Sequence, residues 1–173
     1  MINRIILLLI CCIAPSLLWA QPVCITDIIT TKQPAARAKL TKLLFKIYDI
    51  ELWHDHKEWE PQQAYALHII YYQNVSKQEF VDYTIKELKL NPDVTPEMIT
   101  QFERKLSFIY PDVKKMDSLT AVNVPGEGVL LCHNENKLGW MREEALVLPF
   151  FNIWLGRHSS EPVIRNTLLK PRN

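Results

Sequence analysis

A chain of 173 residues with 48% hydrophobic and 23% charged side chains has the length of one globular domain. Its 20 basic and 19 acidic side chains nearly cancel, and without a basic stripe this balance argues against nucleic acid or anionic lipid as the main partner. Only four glycines occur, Gly126, Gly128, Gly139 and Gly156, and none opens a loop between strand and helix, which excludes dinucleotide and Walker-type phosphate cradles.

The chain opens with a positive residue, Arg4, then nearly continuous apolar sequence over 5–18, then Leu18-Trp19-Ala20 before Gln21. This layout predicts a secretory signal peptide over 1–20, a single domain over 21–173, and export across the inner membrane to the periplasm. No second long apolar run follows, so the mature chain is not expected to span a membrane. Cys11 and Cys12 leave with the signal, and Cys24 and Cys132 remain, with no CxxC motif. In an oxidising compartment this even pair predicts a structural disulfide tying the N-terminal arm to a later strand. Two buried thiols that never meet are the alternative.

Leu43 to Trp53 reads as a strand with imperfect alternation, placing Phe45, Ile47 and Asp49 on one side and Lys46, Tyr48 and Ile50 on the other. Tyr65 to Gln73, β-branched and aromatic, reads as a second. Ser76 with Glu79 forms a capping box, followed at helical spacing by Val81, Ile85 and Leu88, so a helix is expected to about Leu90. Thr95 caps a second helix with Pro96 at its first position, and Ile99, Phe102, Leu106 and Ile109 form a core-facing stripe. After Pro111 period two returns in runs around Leu119 to Val122, Val129 to Cys132 and Leu138 to Met141, a three-strand meander. Glu143 to Leu155 is helical in composition despite Pro149, with Phe150, Ile153 and Trp154 on one face and Gly156 expected to end the helix with positive φ. A last helix is expected from Pro162 to Leu169. The order implies an α+β fold, an antiparallel sheet with helices on one face.

The densest polar group is His54-Asp55-His56-Lys57-Glu58. Two histidines at i and i+2 on an extended chain point the same way, so His54 and His56, with Asp55 or Glu58 as an oxygen donor, are candidate metal ligands. A solvated loop explains the same residues. His68, His133 and His158 stand alone, and a GxSxG nucleophile is absent. The pair Glu143-Glu144 suits a helix start through the macrodipole.

Taken in order, the strand Leu43 to Trp53, the strand end Tyr71-Tyr72-Gln73, the stretch Tyr110-Pro-Asp-Val-Lys-Lys-Met-Asp117 and the segment Phe151-Asn-Ile-Trp-Leu-Gly156 resemble the bacterial chalcone isomerase-like domain over roughly Arg37 to Leu169. The resemblance implies an open-faced β-sandwich with a ligand cleft between helices and sheet. Members of the family that the chain resembles divide between enzymes that close a chalcone to a flavanone and relatives that bind fatty acids or have no known activity. In the enzymes an arginine in a Gly-rich turn stabilises the enolate, because a developing oxyanion needs donors already aimed at it. Here the corresponding turn is Pro34-Ala-Ala-Arg37-Ala, without glycine, so Arg37 is the candidate; Lys46 falls where a threonine is expected, and Ile153 where a small hydroxyl residue is expected.

Two functions of different class follow. The first is a periplasmic, non-catalytic binder of a small apolar or fatty-acid-like ligand, needing no cofactor, with Arg37 and Lys46 holding a carboxylate, Tyr48 and Tyr72 adding hydrogen bonds, and Trp154 in the cleft or the core. The second is an isomerase or intramolecular lyase, with Arg37 as electrophilic clamp and Tyr48 or Lys46 as acid-base partner. An envelope factor that acts by binding proteins is a further alternative.

Overall fold

A computed structural model of the chain describes residues 21–171. The segment read as a signal peptide lies outside them. Six strands, β1 (Ala36–Lys42), β2 (Phe45–Trp53), β3 (Tyr65–Tyr71), β4 (Ser118–Val124), β5 (Gly128–His133) and β6 (Asn136–Met141), form one antiparallel sheet in which each strand pairs with the next in sequence. Helices α1 (Lys77–Leu88) and α2 (Pro96–Ile109) are inserted between β3 and β4, and α3 (Glu144–Leu155) and α4 (Pro162–Leu168) follow β6.

Strand alternation decides which side chains meet the helices. Tyr48, Ile50 and Leu52 of β2 and Tyr65, Leu67, Ile69 and Tyr71 of β3 share one core with Phe80 and Leu88 of α1, Phe102 and Leu106 of α2, and Phe150 and Phe151 of α3. This is the α+β, helices-on-one-face architecture expected above. The Ser76 capping box and the Thr95 cap with Pro96 in the first turn are both present, and α3 runs unbroken through Pro149.

The opposite face has its own smaller core. Trp53, Ala66, Val122 and Leu130 are covered by the N-terminal arm, which contributes Cys24, Ile25 and Ile29. Cys24 and Cys132 are disulfide-bonded, with Cα atoms 6.5 Å apart. The Asp55 carboxylate fixes the other end of the arm by accepting the backbone N–H groups of Thr30 at 2.9 Å and Thr31 at 2.7 Å.

Three local expectations are corrected. The stretch from Ala36, read as a turn, is strand β1; its alanines and cations alternate but give period two little apolar contrast. Leu43 and Leu44, read as strand, form the two-residue turn between β1 and β2, without the Gly or Asn that would have marked it. Gly156 does not have positive φ: it leaves α3 at φ −77° in extended conformation. Glycine is needed there because a Cβ would lie 2.6 Å from the Asn152 carbonyl oxygen.

Candidate functional site

The residues proposed from sequence as one ligand set divide between the two faces of the sheet. On the helix face, the Tyr48 hydroxyl lies within hydrogen-bonding reach of the Trp154 indole N–H, and burial holds the phenol well above its ordinary pKa. A seam of aromatic rings runs inward from it. Tyr48 and Tyr71 meet edge to face at 6.0 Å, Tyr71 and Phe80 at 6.2 Å and Phe150 and Trp154 at 5.9 Å, while Phe80 and Tyr110 lie tilted at 4.3 Å. Tyr71, Phe80, Tyr110, Phe150 and Trp154, with the sheet residues Leu67, Ile69 and Ala121, border a void of about 10 Å³. The expected cleft between sheet and helices is therefore almost closed, with room for about one water.

Arg37, Lys46 and Tyr72 do not reach this seam. Arg37 stands opposite Glu51 in the β1–β2 ladder, on the face turned away from the helices. Its Nε donates to Glu51 Oε1 at 2.8 Å, and Glu51 Oε2 accepts the Trp53 indole N–H at 2.9 Å. Lys46 Nζ bonds Asp49 Oδ2 at 2.7 Å and lies 3.8 Å over the Tyr72 ring, whose hydroxyl donates to the same Asp49 oxygen at 2.8 Å. The bond to Asp49 foremost, then the Tyr72 hydroxyl, raises the Lys46 pKa. On the same face His68 Nδ1 is 2.9 Å from the Thr120 hydroxyl, and burial lowers the imidazole pKa to about 4. These are paired groups that satisfy one another, Arg37 with Glu51 and His68 with Thr120 across neighbouring strands and Lys46 with Asp49 within β2. Asp49, Glu51 and Thr120 carried no sequence signal, since finding them requires the strand register.

His54 is buried at the end of β2 and His56 is exposed, so the two do not form a shared metal site. Among the described residues there is no group of three or more His, Cys, Asp or Glu placed to hold a metal ion, and Asp55 is already committed to the N-terminal arm. The stretch Pro111 to Asp117 turns out to be a clasp. Asp112 accepts the Lys77 N–H at the start of α1, Val113 bridges Val75, and Asp117 accepts from Lys114 N–H and from the side chains of His133 and Asn134. The Lys114 bond first, then Asn134 and His133, hold the Asp117 carboxyl below its ordinary pKa.

Wider hollows lie away from the seam: a groove of about 490 Å³ beside the end of α2 and β6, and one of about 480 Å³ at the β4–β5 turn. Both are open at the surface. A narrow crevice of about 40 Å³ separates the end of α1 from Pro149, Asn152 and Ile153 of α3.

Residues 36–170 match the family model described as chalcone isomerase-like. Among solved structures the chain is similar to a fatty-acid binding protein of Arabidopsis thaliana, with a TM-score of 0.58 and 11% identity over 79% of this chain and 86% of that one. At that identity the likeness shows the fold alone. No curated protein matches.

Proposed function

Because the chain belongs to the chalcone isomerase-like family, we propose that it is a non-catalytic binder of a slender apolar molecule, held between sheet and helix layer beside Tyr48 and Trp154. The observation that carries this reading is the seam: apolar and aromatic walls around an unfilled point, with Arg37 on the other side of the sheet bound to Glu51. An isomerase built on this plan would have no fixed cationic donor from Arg37 where the oxyanion forms. The plant neighbour is a fatty-acid binding protein, which supports the ligand class. Export to the periplasm is part of the proposal and rests on residues 1–20.

A void of about 10 Å³ does not hold an acyl chain, which needs a site on the order of 300 Å³. Uptake therefore requires the helix layer to part. The place for this is α3, where Pro149 offers no N–H to the Ala145 carbonyl and a narrow crevice lies against the end of α1. Glu87 and Glu161 lie near the Tyr48 hydroxyl, and Lys42 is bonded to Glu161. The seam thus offers neutral hydrogen-bonding groups to the polar end of a ligand, and an uncharged end is expected to bind more tightly than a carboxylate.

Native mass spectrometry of the protein incubated with hexadecanol or palmitate tests this. Both ligands are expected to bind, hexadecanol more tightly, and Ala121→Leu, which fills the void, is expected to abolish uptake. No uptake of either ligand, or equal uptake by Ala121→Leu, would overturn the proposal.

A further inference from the structure

The β1–β2 turn places Leu43 and Leu44 in water at 92% and 98% exposure, followed by Phe45 at 67%. Lys42 pairs with Phe45 across the turn, and the two leucines between them have φ of +47° and +74°. A two-residue hairpin turn with both central residues at positive φ is where Asn-Gly belongs, because a Cβ is strained in that region. The segment is thus unfavourable in two ways at once, backbone strain and exposed apolar surface. Strain that coincides with an exposed apolar cluster points to a contact made outside the fold.

The shape and charge of the tip select the partner. Three side chains on the end of a two-stranded hairpin fall far short of the roughly 800 Å² per partner of a stable protein interface. A lipid surface sets no such minimum, since each inserted apolar side chain contributes separately. Lys39, Lys42 and Lys46 stand on the two strands behind the tip. Lys42 and Lys46 keep 55% and 41% side-chain exposure while bonded to Glu161 and Asp49. Long cationic side chains at the base of an apolar wedge suit the headgroup level of an anionic membrane.

We propose that Leu43, Leu44 and Phe45 insert into the interfacial region of an anionic phospholipid bilayer, with the three lysines at its headgroups. The near-zero charge of the whole chain argues against a broadly anionic-lipid-binding surface; the attraction here is local and modest, since Lys42 and Lys46 are paired with Glu161 and Asp49, and the apolar tip carries most of the contact. The inference is independent of the ligand reading: both leucines are almost fully exposed and neither borders the seam.

The test uses the chain from Gln21 onward, which contains every described element and both cores, and flotation with vesicles of equal phosphatidylglycerol and phosphatidylcholine. The protein is expected to float with these vesicles and more weakly with phosphatidylcholine alone. Leu43→Asn/Leu44→Gly installs the preferred turn, so its melting temperature should be equal or higher while its vesicle-bound fraction falls about tenfold or more. Leu44→Asn alone, tolerated at positive φ, gives the same comparison if the double change perturbs the hairpin. Absence of flotation, or equal flotation by the variants, would overturn the proposal. So would a dimer in sedimentation velocity that the variants dissolve, since the tip would then join two copies of the chain.

Discussion

Arg37→Ala separates a structural arginine from a ligand-binding one. In the fold its guanidinium meets Glu51 at 2.8 Å, with side-chain exposures of 41% for Arg37 and 7% for Glu51. Removing Arg37 leaves a nearly buried carboxylate whose named remaining donor is the Trp53 indole N–H at 2.9 Å. Breaking a fully buried ion pair costs about 3–5 kcal/mol, but the exposed arginine is screened by water, so about 1–2 kcal/mol is expected here. Urea denaturation measures the loss. Arg37→Ala/Glu51→Gln should recover at least half of it, because the neutral amide needs less compensation than the charge. Ligand uptake should be the same in all three proteins, since the pair faces away from the seam. A variant of unchanged stability that no longer takes up ligand would refute this placement of Arg37 and return it to the binding site.

The Cys24–Cys132 bond joins residues 108 apart in sequence, and the chain-entropy model assigns such a loop about 4–5 kcal/mol. Reductant should lower the melting temperature of the parent and leave Cys132→Ser unaffected, whereas two titratable thiols in the unfolded, non-reduced protein would exclude the bond. At Gly156 the obstacle is contact with Asn152 and not positive φ, so Gly156→Ala and Gly156→Asn should both destabilise by about 1–3 kcal/mol; a well-tolerated asparagine would show that the residue adopts positive φ after all. His68 is held neutral, with its pKa lowered to about 4, while in the unfolded chain it takes up a proton below about 6.5. The unfolded state then binds more protons between those values, so stability should fall as pH drops from about 7 toward 4, by about 3 kcal/mol at most. His68→Gln should flatten that slope in urea titrations; an unchanged slope would mean that other groups carry it.

Much of the architecture was legible because its signals are local. The Ser76–Glu79 box, Thr95 before Pro96, and the period-two runs from Leu119 to Met141 each declare an element without reference to the rest of the chain. What failed to show was either silent or conditional. The β1–β2 turn is silent because Leu-Leu occupies positions where glycine or asparagine would have announced it. Gly156 was read through the commonest reason for a glycine after a helix, while its actual reason, an approach to Asn152, exists only in three dimensions.

The candidate site fails to assemble for a geometric reason that sequence order conceals. Tyr48 and Tyr72 both end up near the join of β2 and β3, but Tyr48 pairs with Tyr71, so the next residue, Tyr72, points through the opposite face. The same parity takes Arg37 with Glu51 away from Tyr48. Lys46 has the parity of Tyr48 and was expected beside it, but it leaves that side because the β1–β2 ladder skips Ile47, passing from Leu40 opposite Tyr48 to Thr41 opposite Lys46; no pattern in the strands alone fixes that register. What fixes it is the demand of two cores at once. Ile50, Leu52, Leu67 and Ile69 must meet the helices while Trp53 and Ala66 meet the disulfide-tethered arm. The polar residues take the positions left over, and there they pair with one another: Arg37 with Glu51, Lys46 with Asp49 and Tyr72, His68 with Thr120. The sheet thus separates the apolar seam from the charges that resemblance would have brought to it, and under the proposed function a ligand there would be held by shape and neutral hydrogen bonds.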